Sequence, residues 1–322
     1  MSDPPNLPLA GIIVLDFGQV YQGPYATLLM AKAGADVIKI EPPQGEPLRL
    51  RAPPGKSTTF PIAMLNSNKC AITLNLKHER GRALLFEMVR RADVLLENFS
   101  PGTMDRLGVG WSELNRVNPR LVYASGSGYG LSGPDRDNLA MDLTIQAVSG
   151  LISTTGFPDG PPVKAGPAVV DFLSGIHLYA AVTTALFERE RTGRGRLVEV
   201  AMQEAAYTTL TSHLEAYWHS GNVPPRTGNR SRARSPLNVY PTNDGYVAMN
   251  IAFEEHWHNL LAAMGGEDLR DDPRFKTNAD RVAHMDETDA AVAAWTQTLG
   301  KNGSVCDHQA LPHPLCSGAR RR

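Results

Sequence analysis

The sequence predicts an α/β protein: a large domain built on a Rossmann-like, mostly parallel sheet, and a smaller α+β domain after it. Short β-rich runs alternate with helix-like stretches through the first half of the chain, a pattern typical of a parallel sheet covered by helices on both faces. A stretch rich in Arg, Pro, Asn and Gly at 221–235 indicates a linker. A chain of 322 residues is long enough for two such domains.

Each element follows from an apolar run that glycine or proline ends. The first strand, 12–17, ends at Gly18, and the helical spacing of 25–33 stops at Gly34, a residue type favoured just after a helix. The other predicted strands are 36–41, 71–76, 94–97, 121–125 and 197–200. The other predicted helices are 79–91, 111–117, 171–190 and 203–218. Residues 239–249 predict a hairpin that turns at Asn243-Asp244-Gly245.

These patterns divide the chain into three parts. Residues 1–200 are predicted to form the large domain, 201–225 a connecting helix and linker, and 226–322 the smaller domain. From about residue 303 the sequence shows little helical or strand periodicity. This tail is therefore atypical of a folded domain.

Composition argues against several classes of function. The net charge of −1 gives no reason to expect a nucleic-acid or membrane-surface partner. Three cysteines without CxxC spacing argue against structural zinc and for a reducing compartment. The N-terminus lacks a signal-peptide pattern, and no run reaches the roughly 20 apolar residues of a membrane span. We therefore expect a cytoplasmic protein.

Nucleotide, metal and serine-hydrolase motifs are weak. Residues 18–24 lack GxGxxG spacing, and the glycines of 126–130 run into Ser-Gly-Pro-Asp instead of a helix. His256 and His258 are two residues apart, so they do not face each other on a helix. No GxSxG elbow surrounds a serine. We expect neither a nicotinamide cofactor nor a metal.

Asp171 is the candidate nucleophile. It stands where an apolar run becomes a long helical stretch. An aspartate there most often caps the helix. The same position also suits chemistry, because a helix N-terminus stabilises charge that develops on a nearby acyl oxygen. The position alone leaves both interpretations open.

Several segments are similar, in the same order, to those of one enzyme family. They are VLDF at 14–17, QGP at 22–24, GADVIKIEP at 34–42, 68–77, 92–108, 154–162, Asp171 and TGRG at 192–195. Through them, residues 8 to about 300 resemble the class III CoA-transferases of the CaiB/BaiF type, to which formyl-CoA transferase and carnitine CoA-transferase belong.

The resemblance implies the chemistry and its residues. Asp171 matches an aspartate that attacks the acyl-CoA thioester, ionised at neutral pH unless burial shifts its pKa. Gln22 matches a glutamine beside the reacting carbonyl, and Arg106 an arginine that binds the CoA phosphates. The residues that match the lining of the CoA groove are Leu74, Lys77, Asn98, Phe99, Ser100 and Asp142. The implied partners are an acyl-CoA donor, a carboxylate acceptor and a second copy in an interlocked homodimer.

Two alternatives remain open. The related α-methylacyl-CoA racemases carry a His-Asp pair where this chain has Met141-Asp142. A thioether carries no proton, so the resemblance favours the transferase. A non-catalytic CoA-binding homologue is the other alternative.

The family comparison also raises expectations about the C-terminal part. Family chains are longer and return to the large domain, so the smaller domain is expected to be truncated here. We hypothesise that the tail is read out of frame, since a one-base shift of a back-translated 312–320 gives Arg-Ile-Pro-Cys-Ala-Pro-Val-Arg, similar to the family at this place. The family's glycine-rich loop is not evident. Arg230, Arg232 and Arg234 are either ligands of a carboxylate substrate or a solvated loop.

Overall fold

The computed structural model describes residues 7–53 and 58–300 and the backbone of 315–317. It contains two compact units. The large unit comprises residues up to Ile152 together with Lys164–Val223, and the small unit comprises Ser153–Val163 and the chain from Pro224 onward. The boundaries at 200 and 225 that the sequence suggests stay predictions, which limited proteolysis would test.

The large unit is built on six parallel strands. They are β1 Ile13–Asp16, β2 Asp36–Glu41, β3 Cys70–Thr73, β4 Val94–Glu97, β5 Val122–Ser127 and β6 Leu197–Ala201. Their order across the sheet is β3-β2-β1-β4-β5-β6. This is the Rossmann order, which places ligands outside the carboxyl ends of the strands, where the order reverses between β1 and β4. The predicted α/β fold class is confirmed.

Helices cover both faces of this sheet. The helices of the large unit are α1 Gln22–Lys32, α2 Phe60–Leu65, α3 Glu79–Val89, α4 Thr103–Arg106, α5 Trp111–Val117, α6 Asp142–Val148, α8 Val169–Thr192, α9 Met202–Tyr207 and α10 Thr211–Ser220. The short helix α7 Leu151–Thr154 begins in the large unit and ends in the residue range of the small one. Alternate strand residues point to opposite faces, so Val14 and Leu96 join one core cluster while Leu15 and Leu95 join another.

The predicted helix 203–218 is wrong in its middle, where the 3₁₀ turn Thr208–Leu210 separates α9 from α10. The threonines explain the break. The Thr208 and Thr209 hydroxyls donate to the carbonyls of Ala205 and Ala206, at 2.8 and 2.7 Å. Such local bonds compete with the regular helical ladder and favour a tighter turn.

Helix α8 carries Asp171 and packs along α1. By length and composition alone it could cross a membrane, but Val170, Ser174, Leu178 and Val182 are buried inside the large unit. A Cβ added to Gly175 would lie 2.8 Å from the Gln22 carbonyl oxygen. The missing side chain therefore lets the first turns of the two helices approach closely.

The small unit contains the predicted hairpin. Strands β7 Leu237–Thr242 and β8 Gly245–Asn250 pair antiparallel around the loop Asn243-Asp244, and β9 Leu315–Ser317 adds to β8. Its helices are α11 Glu254–Met264, α12 Asn278–Ala283 and α13 Met285–Thr296. Its core is formed by Tyr240, Val247, Trp257, Leu261 and Val292, among others.

Two sequence expectations concern this unit. The Arg230 guanidinium pairs with Asp286 and Asp289, both at 2.7 Å, so in the described structure its charge is paired within the small unit. The atypical tail at 303–322 lies outside the described residues, apart from the backbone of 315–317.

Candidate active site

A loop and a helix end form the centre of the candidate site. The loop, residues 17–21, leaves β1 and leads into Gln22, the first residue of α1. The helix end is the first turn of α8, which contains Asp171. The Gln22 and Asp171 side chains line one cavity of about 340 Å³, here called the inner cavity, together with Ser100, Gly126 and Asp142.

Side chains from other elements hold the backbone of the loop. Asn98 accepts from the Gln19 N–H at 2.7 Å and donates to its carbonyl at 3.0 Å. Glu46 accepts from the Val20 N–H at 3.0 Å, and Lys39 donates to the Gly18 carbonyl. Val20 has a φ of 62°, which is strained for a β-branched residue. These bonds maintain the strained turn.

A buried ionic cluster lies under the loop. Lys69 donates to the Asp16 carboxylate at 2.9 Å and to the Thr27 hydroxyl at 2.8 Å. Burial works against ionisation of Asp16, but the ammonium groups of Lys39 and Lys69 outweigh it and hold its pKa below the usual value. Asp16 in turn accepts from the Gly18 N–H at 2.8 Å. The first residues of the loop are therefore held by a buried ionic cluster.

The Gln22 amide is buried and incompletely bonded. The residue is 2% exposed, and its Nε2 finds no hydrogen-bond partner in the part of the chain that the structure describes. A Cβ on Gly126 would lie 2.6 Å from Gln22 Oε1, so the glycine leaves the space that the amide occupies. An unpaired buried donor costs about 1–3 kcal/mol, and an oxygen that enters the cavity would remove this cost.

Asp142 positions the turn that carries Asp171. Its Oδ2 accepts from the backbone N–H groups of Val170 and Asp171, at 2.9 and 3.1 Å, and its Oδ1 accepts from Gln146 Nε2 at 2.5 Å. Ala168, at the N-cap, makes no side-chain capping bond. Asp142 therefore caps α8 from another helix, which leaves the Asp171 side chain free of that task.

Burial, and secondarily the charge of Asp142, raise the pKa of Asp171 to about 7. This differs from the expectation of a fully ionised group at neutral pH. The sequence places Asp171 at a helix start, where the dipole favours the carboxylate. The sequence does not show that a second carboxylate caps the same turn or that the group is partly removed from water.

A second cavity, here called the outer cavity, leads to the same centre. It measures about 320 Å³, and its lining includes Phe17, Leu74, Leu76, Lys77 and Leu107. Gln19, Phe99 and Thr103 line both cavities. The two cavities therefore share a wall at the carboxyl ends of β1 and β4, where the topology predicts a ligand.

The structure brings most predicted site residues together. Leu74, Lys77 and Phe99 line the outer cavity; Gln22, Asn98, Phe99, Ser100, Asp142 and Asp171 line the inner one. Arg106 lines neither cavity; it is exposed and donates from Nη2 to the Thr103 hydroxyl at 2.9 Å. Asn98 bonds to the backbone of Gln19, and Asp142 bonds to the backbone of Val170 and Asp171 and to the Gln146 side chain. These two residues therefore shape the walls of the cavity.

Sequence reasoning missed Gln19, Glu46, Thr103 and Gly126. Gly126 is the first glycine of the Gly-Ser-Gly sequence at the end of β5, and this position at a parallel-sheet edge was a usable signal. Glu46 lies on an irregular segment, and its partner Val20 is distant in sequence. No local pattern predicts such a bond.

The racemase alternative is not favoured by the lining. Asp171 lines the inner cavity and a third, smaller cavity, and neither has a histidine among the described residues that line it. Met141 lines both beside Asp142, and a thioether cannot exchange a proton. Among the described residues, no group of three His, Cys, Asp or Glu side chains is arranged to hold a metal ion.

Comparison with known proteins decides the family. The sequence model of CoA-transferase family III matches residues 9–303. The chain belongs to CoA-transferase family III. The resemblance in the sequence is thus confirmed, and the protein is a CoA-transferase by its relatives.

Those relatives are similar over most of their length. Acetyl-CoA:oxalate CoA-transferase from Acetobacter aceti is 38% identical over 310 residues, which cover 93% of this chain and 80% of the relative. Succinate–glutarate CoA-transferase from Agrobacterium fabrum is 35% identical over 325 residues, which cover 97% and 81%. The crystal structure of a CAIB/BAIF family protein from Brucella suis matches with a TM-score of 0.88 at 30% identity, over 98% of this chain and 85% of that one.

Proposed function

We propose that this CoA-transferase moves CoA from an acyl-CoA to a carboxylic acid through covalent intermediates on Asp171. The observation that supports this most is the pairing of two unusual groups in the inner cavity. One is a partly buried carboxyl group and the other a buried amide donor without a partner among the described residues. Acyl transfer needs a nucleophile and a donor for the oxyanion, and these groups supply both.

In the proposed first step, an Asp171 carboxylate oxygen attacks the thioester carbonyl, and Gln22 Nε2 donates to the oxyanion. The C–S bond breaks, the CoA thiolate leaves and a mixed anhydride remains. The thiolate then attacks the Asp171 carbonyl, which releases the donor acid as a carboxylate. An acceptor carboxylate repeats these steps in reverse, so its CoA ester departs and Asp171 is regenerated. Protons are not required in net terms.

The residues of the outer cavity fit coenzyme A as the donor's carrier. The lining is mostly apolar, with Phe17, Leu74 and Leu76, and Lys77 supplies a cation. Arg106 is exposed beside Thr103, where a guanidinium suits a phosphate. In the proposed complex these side chains hold the nucleotide, while Phe99, common to both cavities, marks the passage to Asp171.

Positioning supplies most of the acceleration in this proposal. A carboxylate is a weak nucleophile, so its activity depends on a fixed attack geometry and on exclusion of water. The Asp142 cap and the clamped loop provide the fixed geometry. Because its pKa is raised to about 7, Asp171 is only partly ionised at neutral pH.

A trapping experiment tests the intermediate. The protein is incubated with succinyl-CoA, treated with hydroxylamine and digested, and the peptide that contains Asp171 is analysed by mass spectrometry. We expect a hydroxamate on Asp171 and loss of activity. Asp36→Asn is a suitable control, because Asp36 is exposed at the amino end of β2, whereas the cavities lie at the carboxyl ends of the strands. An unmodified Asp171 with turnover intact would contradict the mechanism, and α-proton exchange in deuterated water without transfer would indicate a racemase.

The relatives suggest small acids as acceptors, since their names give oxalate, succinate and glutarate. We also propose a homodimer in the cytoplasm. The exposed free thiol of Cys70 is consistent with a reducing compartment. Size-exclusion chromatography with light scattering tests the dimer, and cell fractionation tests the location.

A further inference from the structure

Asp171 also lines a third cavity, here called the side cavity. Its volume is about 260 Å³, and its walls include Tyr21, Arg51, Leu143, Lys164 and Pro167. That volume is at the small end for a ligand pocket, so it suits a short acid. Asp142 and Asp171 line both the inner and the side cavity. An acyl group attached to Asp171 can therefore extend into this space.

Arg51 differs from its neighbour Arg49. The Arg49 Nε and Nη2 donate to the Glu41 carboxylate at 2.6 and 2.7 Å, so its charge is neutralised within the fold. The Arg51 guanidinium lines the side cavity and forms no ion pair with any residue that the structure describes. Its charge is thus available to an anion in that cavity.

Lys164 supplies a second cation at the same cavity. Its Nζ donates only to the carbonyl oxygens of Ala165 and Gly166, at 3.3 and 3.4 Å, and pairs with no carboxylate of the described chain. The backbone after it is fixed, because the Ala165 N–H donates to Gln146 at 2.8 Å. Gln146 also bonds Asp142, which caps the Asp171 turn. The backbone next to Lys164 is therefore connected, through Gln146 and Asp142, to the turn that carries Asp171.

The charges of the two carboxylates make these cations necessary for an acidic substrate. An acid that approaches Asp171 meets its charge and that of Asp142, and like charges at short range repel. A second carboxylate on the acid would increase the repulsion unless cations lie beyond the reacting centre. Tyr21, Leu143 and Pro167 offer apolar walls for the methylene groups between the two carboxylates.

We propose that Arg51 and Lys164 bind the distal carboxylate of the acid that receives CoA, so that the enzyme selects short dicarboxylates over monocarboxylates of equal length. The proposal rests on the transferase mechanism above and assigns its specificity. A guanidinium matches a carboxylate with two donors, and the ammonium adds a point charge. Both residues act on the bound acid, not on the thioester.

Matched acceptors test the proposal: glutarate against pentanoate, and succinate against butyrate, with acetyl-CoA and succinyl-CoA as donors. We expect wild-type kcat/KM to favour the dicarboxylate at least about 10-fold, and Arg51→Gln or Lys164→Gln each to reduce that preference about 10-fold. The loss should lie mainly in the KM of the dicarboxylate. Arg116→Gln and Lys32→Gln, exposed residues outside the cavities described, are matched controls.

Charge reversal gives a gain-of-function readout. Lys164→Glu should lower transfer to glutarate and raise transfer to 4-aminobutyrate, whose distal group is an ammonium. Equal losses with glutarate and pentanoate in Arg51→Gln and Lys164→Gln would overturn the proposal, as would wild-type transfer without preference. In both cases the transferase mechanism would stand. Failure of the wild-type protein to transfer CoA to any acid would overturn the proposed function itself.

Discussion

The two sides of the inner cavity position their reactive groups in different ways. On the Gln22 side, the strained loop depends on side chains from distant segments, Asn98 and Glu46. On the Asp171 side, a regular helix of 24 residues supplies the geometry, and Asp142 caps it from outside. Each side leaves one group incompletely satisfied: an amide donor that finds no partner among the described residues, and a carboxyl whose pKa is raised.

The contrast shows where such a site stores its strain. A helix end is locally stable and needs only a cap, whereas a left-handed valine costs about 1–2 kcal/mol and persists only where neighbours enforce it. Changes to Asp171, the proposed nucleophile, should therefore lower the rate of transfer and stabilise the fold. Changes to the loop should affect the rate of transfer by moving Gln22. Loss of a clamping bond should destabilise the fold, and loss of the strained side chain should relieve strain.

Replacement of Asp171 by Asn should have the largest effect. We expect kcat to fall by a factor on the order of 10⁴, since the proposed nucleophile is removed. Stability should change in the other direction. The pKa of Asp171 is raised from 3.8 to about 7, so the folded state favours the neutral carboxyl group. The wild-type protein therefore loses free energy of unfolding as the pH rises from about 4 to about 7.

The Asn variant escapes this loss and should be more stable than the wild type by about 1–3 kcal/mol at pH 8, with little difference near pH 4. Urea denaturation at the two pH values measures it. An equal stability of both proteins at pH 8 would show that Asp171 is not held in a carboxylate-disfavouring environment.

Gly126→Ala should have the second largest effect on kcat, because it displaces the Gln22 amide without replacing Gln22 itself. The new Cβ would lie 2.6 Å from Gln22 Oε1 and 2.9 Å from Leu178 Cδ1, so the amide must move. We expect kcat to fall about 10²–10³-fold, the range for loss of one oxyanion donor.

Two comparisons interpret this loss. Gln22→Ala should be similarly slow, and Gly126→Ala in that background should cost little more. Gly160→Ala, where the nearest atom is 3.8 Å away, is the control glycine. Additive losses in the double variant would show that Gly126 acts elsewhere than through Gln22.

The sequence predicts the two sides unequally, and the reason is physical. The parallel fold and the start of α8 follow from local periodicity, so Asp171 is found at a helix N-terminus as expected. The clamp of the loop depends on pairs such as Gln19 with Asn98, which are 79 residues apart, and on the rare φ of Val20. The raised pKa of Asp171 depends on burial, which only the folded chain defines.

Loss of the Glu46 clamp should have an intermediate effect. Glu46→Ala removes the acceptor of the Val20 N–H, so the loop should relax, and we expect kcat to fall about 10-fold with an unchanged KM for the donor. Glu46→Gln keeps an acceptor and should stay close to wild type. Steady-state kinetics on both variants measures this.

Val20→Gly sharpens the test because glycine adopts a positive φ without strain. It should recover most of the activity of Glu46→Ala, since the clamp is then less needed. No recovery in the double variant, with Glu46→Gln as slow as Glu46→Ala, would mean that Glu46 acts by its charge and not by holding the turn.

Asp142→Asn should give the smallest change, and it separates the two causes of the raised pKa. The asparagine oxygen can still accept from the Val170 and Asp171 N–H groups, so the cap is kept, whereas the negative charge and the bond from Gln146 Nε2 are lost. In the proposed mechanism kcat requires ionised Asp171, so it should rise with pH through about 7 in the wild type. In the variant this rise should move to lower pH by up to about 1 unit, with the effect of burial remaining. If kcat rises at the same pH in both proteins, burial alone raises the pKa of Asp171. Asp142 would then contribute to this side of the cavity only by positioning the backbone.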